Sequence, residues 1–340
     1  MRKDHNKQKD KIANATTALH RVIIPIYIPK EEEYYKDAFD VFLLCIKSLR
    51  MTSASNLQIS VCSNGCSDAV NKKLFKLYED NLIDDLVIER KNTGKINSIL
   101  RVIRTAEERF ITITDADVMF LNNWENSVFE VFESFHKAAV VSPMPVFRTQ
   151  NHYTSNLIFD YFFSKRLKFS TVKNPEALTR FAKSIGWSRL DSEWKDVIMT
   201  IEGQKGLKAV LGSNHCVATY KREIFGSIPN KNSKYVLGGD SEGLYLDKPS
   251  RFYDGYRLST YDNFAYHLGN EKEDWMEEEF QSLQYLEKVD FLPKSKFLKK
   301  RNIAFIVKSL VFRKVLNNKY FRRKLYVWKG LDRMKLKNFI

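Results

Sequence analysis

A chain of 340 residues with 44% hydrophobic and 29% charged side chains can bury a full core, which excludes disordered and collagen-like classes. Its net charge of +15 is unevenly placed: residues 291–340 hold sixteen Lys and Arg against the single acid Asp332, leaving the preceding 290 residues neutral. A nucleic-acid reader spreads basic residues over its folded face, so the asymmetry argues against nucleic acid and for an anchoring tail.

Residues 1–19 read as a polar leader without the apolar stretch of a signal peptide. No apolar run approaches the ~18 residues that span a bilayer. Cys45, Cys62, Cys66 and Cys216 make no metal-ligand or redox spacing, and are expected to be the reduced thiols of a cytoplasm.

In chain order, residues 21–28 (RVIIPIYI) are a short apolar, β-branched run suited to a buried strand. Residues 36–50 carry a helical apolar stripe, and 57–62 (LQISVC) form a second strand halted by Ser63-Asn64-Gly65. A helix over 69–78, a strand over 86–89, a helix over 94–106 and a strand over 109–114 (RFITIT) follow. Strands alternating with helices at these lengths imply βαβ units and a mostly parallel sheet. Ligands of such sheets bind beyond the carboxyl ends of the strands, where Asn64 and Asp115 fall. Further on, 124–137 reads as a helix, 139–147 as a strand, 150–210 as a mixed aromatic segment and 209–219 as a strand.

Asp115-Ala116-Asp117 follows the apolar strand 109–114 directly. Alone, Asp-x-Asp describes a solvated turn. At a strand tip facing the ligand crevice, two carboxylates can hold a divalent cation, and that cation can grip a diphosphate. Lys95, after Asn92-Thr93-Gly94, starts a helix whose N-terminus could meet the same diphosphate, or is simply a solvated helix start. Gly238-Gly239-Asp240-Ser241-Glu242 sets carboxylates after a flexible glycine pair. They could deprotonate a hydroxyl, or cap a helix in a plain turn. His267, in Tyr-His-Leu-Gly-Asn, is a third candidate metal ligand, although a lone histidine is more often structural.

Taken in order over residues 21–272, these segments resemble the inverting family 2 glycosyltransferases of the GT-A fold. Pro25-Ile26-Tyr27 matches the family's first strand end, with Ile28 where Asn is usual. Ser63-Asn64-Gly65-Cys66-Ser67-Asp68 matches its Asp-Asn-Gly-Ser segment, but Ser63 replaces the Asp that contacts the nucleobase. Asn92–Asn97 and Asp115-Ala116-Asp117 look like the family's Asn-x-Gly-Lys and Asp-Ala-Asp segments.

The resemblance implies a UDP- or GDP-linked sugar donor bound by Pro25, Tyr27, Ser63, Asn64, Lys95, Asp115 and Ala116. It also implies Mn²⁺ or Mg²⁺ on Asp115, Asp117 and His267, and Asp240 as base with Glu242 as runner-up. The expected reaction is inverting transfer to a hydroxyl of a glycan or lipid-linked acceptor, as in bacterial surface-polysaccharide synthesis.

The expected layout is a polar leader (1–19), a GT-A domain (20–275, nucleotide-binding to 120 and acceptor-binding beyond) and a basic helical region (276–340). Residues 147–210, with Tyr153, Trp187 and Trp194, are expected to shape the acceptor site or simply to pack. Residues 303–316 form a basic amphipathic stretch suited to an anionic membrane, or to packing on the catalytic domain. The expected location is cytoplasmic, on the inner face of the cell membrane. A nucleotidyltransferase would carry a glycine-rich loop after the first strand, which residues 24–30 lack. A retaining transferase, or a non-catalytic protein binding membrane or nucleic acid, are the remaining alternatives.

Overall fold

The computed structural model describes Lys9 and residues 18–187, 189–289 and 293–340. Strands β1 (His20–Ile26), β2 (Gln58–Asn64), β3 (Asp85–Glu89) and β4 (Phe110–Thr114) alternate with helices α1 (Ala38–Thr52), α2 (Asp68–Glu79) and α3 (Lys95–Ile103). Each helix follows from its apolar spacing. Phe39, Phe42, Cys45, Ile46 and Leu49 are the buried stripe of α1, and the Ser67 side chain caps α2 by accepting from the Val70 amide.

Beyond β4 lie β5 (Val118–Phe120), α4 (Trp124–Ser134), β6 (Ala138–Ser142), α5 (Ser155–Asp160), β7 (Leu167–Thr171), α6 (Pro175–Ser184), β8 (Val197–Glu202), β9 (Lys208–Leu211), β10 (Val217–Lys221), β11 (Tyr256–Thr260) and β12 (Ala265–His267). One ten-stranded sheet has the order β3-β2-β1-β4-β10-β6-β11-β9-β8-β7, and β12 and β5 pair separately. Strands β1–β4, β6, β8 and β11 run one way, while β7, β9 and β10 run the other. The sheet is therefore mostly parallel, flanked by helices, as the alternation of strands and helices predicts.

Two expectations are corrected and a third is filled in. The strand over 209–219 is two strands, because the chain turns at Gly212, where φ is +89° and a Cβ would lie 2.3 Å from the Thr149 carbonyl oxygen. The strand over 139–147 stops at Ser142, before Pro143 and Pro145, which lack the amides a ladder needs. The mixed segment 150–210 holds β7 and β8, which extend the sheet through antiparallel pairs.

The basic C-terminal region packs on this body. Residues 302–317 form one helix containing a π-type stretch, and Lys319–Trp328 forms a second. Leu316, Leu325, Tyr326, Leu336 and Phe339 join the main core. The Phe169 amide donates to the Lys329 carbonyl at 2.8 Å, and Trp194 Nε1 to the Asn338 carbonyl at 2.9 Å. Lys308 Nζ lies 2.6 Å from Asp160 and 2.9 Å from the buried Asp254. Among the described residues no helix is long and apolar enough to cross a membrane.

Candidate active site

Strand β4 is buried along its whole length and delivers Asp115-Ala116-Asp117 at its carboxyl end. Two further pairings bring partners to that tip. Antiparallel β10 sets Val217 opposite Thr114, so Cys216 lies beside Asp115, whose amide donates to the Cys216 carbonyl at 2.7 Å. In the small sheet His267 pairs with Val118, and the Leu268 amide donates to the Asp117 carbonyl at 2.7 Å. His267 Nε2 then sits 3.3 Å from Asp117 Oδ2, while its Nδ1 meets the Ser184 hydroxyl at 2.8 Å. That second contact, from the end of α6, orients the ring toward Asp117.

Ligand atoms of Asp115, Cys216 and His267 lie within 4.8 Å of one another. Two carboxylates and an imidazole suit Mn²⁺ better than Mg²⁺, which favours oxygen ligands alone. Desolvation, reinforced by Asp115 and Asp117, pushes the Cys216 thiol well above its ordinary value. A thiol is also a softer donor than the carboxylate and imidazole groups that suit Mn²⁺. Desolvation also pushes the Asp117 carboxyl up, with His267 opposing and Asp115 adding to the shift. Asp115 and His267 thus fit a divalent cation by donor chemistry, while Asp117, 3.3 Å from His267, stands outside the group whose ligand atoms lie within 4.8 Å of one another.

Lys95 opens α3 after Gly94, which has φ +97° and backs onto the 235–236 backbone, where a Cβ would lie 2.8 Å from the Tyr235 carbonyl oxygen. Its amide donates to the Val236 carbonyl at 3.0 Å. Its Nζ lies 2.6 Å from Asp115 Oδ1 and 2.6 Å from Glu242 Oε1. Although desolvation opposes the charge, those carboxylates hold Lys95 above its ordinary value. Lys95 is therefore neutralised in place, and it ties the β4 tip to the segment after the glycine pair.

Ser63 and Asn64 end β2 with their side chains turned into local bonds. Ser63 Oγ donates to Asn71 Oδ1 at 2.6 Å, Asn64 Nδ2 donates to Asn92 Oδ1 at 3.0 Å, and the Thr93 amide donates to Asn64 Oδ1 at 2.7 Å. This bracing holds the β2 tip against the loop before α3. Pro25 sits opposite Cys62 near the end of β1, and Tyr27 just beyond is exposed, edge-on to Tyr35. Ala116 packs against the main core.

Asp240 has φ +63° and its carbonyl accepts from the Leu244 amide at 2.9 Å. With Tyr153, His215, Glu242 and Asp247 it lines a cavity of about 400 Å³. Glu242 is drawn toward Lys95 and lies 3.4 Å from His215 Nδ1. His215 Nε2 meets Asp247 Oδ2 at 2.7 Å, and Asp247 also contacts the fully buried Arg257. Against desolvation, Arg257 and His215 hold the Asp247 carboxyl below its ordinary value. Sequence reading missed His215, Cys216, Asp247 and Arg257. Cys216 was reachable only through the register of β10 on β4, which no local pattern encodes. Trp194 stacks on Phe147 at 5.3 Å within the core, and Trp187 tilts against the same ring. A larger cavity of about 600 Å³, lined by Arg21, Ser60 and Asp85, lies at the amino ends of the strands, away from these carboxylates.

The carboxylates at the β4 tip and the crossover order of β1–β4 lie within a stretch that matches a known family, and β12 lies beyond it. The family model described as glycosyl transferase family 2 matches residues 22–225. The chain belongs to that family. The family match spans β1 to β10, and the sheet and flanking helices have the GT-A arrangement.

Among solved structures, the mannosyltransferase PcManGT from Pyrobaculum calidifontis, in complex with GDP-Man and Mn²⁺, is similar at 16% identity and a TM-score of 0.38, covering 72% of this chain and 55% of that one. S. aureus TarS 1–349 in complex with UDP is similar at 12% identity and a TM-score of 0.38, covering 73% and 59%. S. aureus TarS is similar at 10% identity and a TM-score of 0.40, covering 94% and 42%. The family 2 chain thus spans a little over half the length of the first two. No curated protein matches it by sequence.

Proposed function

We propose that this family 2 chain is an inverting, metal-assisted glycosyltransferase that moves a sugar from a UDP- or GDP-linked donor to a hydroxyl of a glycan or lipid-linked acceptor. The observations that carry the reading are the approach of His267 to Asp115 and to Asp117 at the carboxyl end of β4, and the family 2 match that includes both carboxylates. A cation bound there would offset charge developing on the departing nucleoside diphosphate. Asp240 takes the proton from the acceptor hydroxyl, whose oxygen attacks the anomeric carbon from the face opposite the leaving group and inverts its configuration. Asp240 is favoured over Glu242 because it is exposed and has no ion-pair partner among the described residues, whereas Glu242 is held by Lys95.

The reading predicts that Asp240→Asn lowers kcat by about 10²–10⁴-fold, the ordinary worth of a general base. NMR of the product would show an inverted anomer. Near-normal turnover in Asp240→Asn would remove the base assignment, and a retained anomer would remove inversion.

The same reading places the enzyme at the inner face of a bacterial cell membrane, in surface-polysaccharide synthesis. Ile303, Ile306 and Val311 remain exposed on the first docked C-terminal helix, and Tyr320 and Trp328 on the second, beside Arg323 and Lys324. Apolar and aromatic groups flanked by cations are the chemistry of an interfacial helix on anionic lipid. Sedimentation with phosphatidylglycerol vesicles at low salt, lost in high salt, is the expected outcome. Equal binding to neutral vesicles would count against it.

A further inference from the structure

The C-terminal region contributes more than a surface. Arg313, from the helix over 302–317, lies with its guanidinium 5.4 Å from the Tyr153 ring, and Arg251 lies 5.3 Å from the same ring. Arg313 lines the cavity that holds Asp240. With Tyr153 and Arg322 it also lines the small cavity next to it. None of Arg251, Arg313 and Arg322 has an ion-pair partner among the described residues. By contrast Arg21, Arg50 and Arg101 meet carboxylates at 2.6–2.7 Å. Arg251 is only 3% exposed, donates to the Ser309 carbonyl and leaves its Nε without a partner. Burial, with the charge of Arg313 beside it, lowers its pKa to about 10, so it remains a cation at neutral pH. A buried, charged guanidinium next to a second one is costly unless an anion joins them.

Gly243 relates Tyr153, and with it the arginines at its ring, to Asp240. A Cβ on Gly243 would lie 2.3 Å from Asp240 Oδ1 and 3.3 Å from Tyr153 Oη, so the carboxylate and the hydroxyl both flank that glycine. The arginines therefore stand on the Asp240 side of the site. Lys95, on the Asp115 side, is already neutralised by two carboxylates.

We propose that Arg313 and Arg322, backed by the buried Arg251 at the Tyr153 ring, form a subsite for a phosphate group carried by the acceptor, beside the carboxylate that would activate its hydroxyl. Guanidinium forks match a tetrahedral oxyanion with several acceptor oxygens better than they match a single carboxylate. Assigning the phosphate to an acceptor rests on the glycosyltransferase reading, but the anion site does not.

The test is calorimetric titration of the full chain with inorganic pyrophosphate in EDTA, which removes cation-mediated phosphate binding. The variants are Arg313→Ala, Arg313→Lys, Arg322→Ala and Asp117→Ala, each checked for native melting. Arg313 is exposed, so its loss leaves the core intact. Wild type and Asp117→Ala should bind alike, Arg313→Ala and Arg322→Ala about tenfold or more weakly, and Arg313→Lys in between. Loss in Asp117→Ala with binding kept in Arg313→Ala would give the phosphate to the donor and overturn the proposal. Undetectable binding by wild type, or equal affinity in all variants, would overturn it as well. Arginine-dependent binding in a protein that turns over no nucleotide sugar would sustain the subsite while removing the enzyme reading.

Discussion

The βαβ half and the basic C-terminal region treat charge in opposite ways. In the first, buried charges close on partners. Glu125 accepts from the Ala54 and Ser55 amides at 2.8 Å each and from His20 at 2.6 Å, and Lys95 sits between Asp115 and Glu242. In the second, Lys308 closes on Asp160 and Asp254 and Lys335 on Asp196, while Arg313 and Arg322 have no ion-pair partner among the described residues and are left open to the cavities they line. Closed pairs hold a scaffold, since breaking one strands a buried charge, whereas open cations at a cavity are available to a ligand. The difference separates what positions the β4 tip from what can recognise a substrate.

Equilibrium denaturation can break or sharpen that contrast. The largest loss should follow Glu125→Ala, about 3–5 kcal/mol, because His20 and two amides lose a buried acceptor. Folding lowers the Glu125 carboxyl below 4.5, through its bonds to His20 and Ser55 and against desolvation. Its stabilisation is therefore complete above about pH 4.5 and lost as pH falls through the lower folded value. Wild type should lose stability on acidification across that window, and Glu125→Ala should lose less.

A smaller loss, about 1–3 kcal/mol, is expected for Lys308→Met, since Lys137 still reaches Asp160 and Asp254 at 2.6 Å each. Arg313→Gln should change stability by no more than about 0.5 kcal/mol. A loss comparable to that of Lys308→Met would show that Arg313 is structural, and would erase the distinction between open and closed cations.

The legible part of this fold is the part written locally. Apolar runs with turn residues between them mark β1 to β4 in order, and they place Asp115 and Asp117 at a strand tip. The β5–β12 clasp that sets His267 against Asp117 is not readable, since both strands are three residues long and pair across the chain. The antiparallel β7–β10 arrangement is hidden for the same reason: side-chain period describes a strand but not its neighbour. In the sequence Arg313 is one basic residue among sixteen in the tail, because its place beside Tyr153 depends on how the helix docks.

The most direct measurement is nucleoside diphosphate release across a panel of UDP- and GDP-linked sugars, with Mn²⁺, with EDTA, and with Asp117→Ala and His267→Ala. The account predicts release from one donor that needs Mn²⁺ and falls by about 10²-fold or more in each variant. Release that persists in EDTA and in both variants would contradict the central claim that Asp117 and His267 form the catalytic cation site.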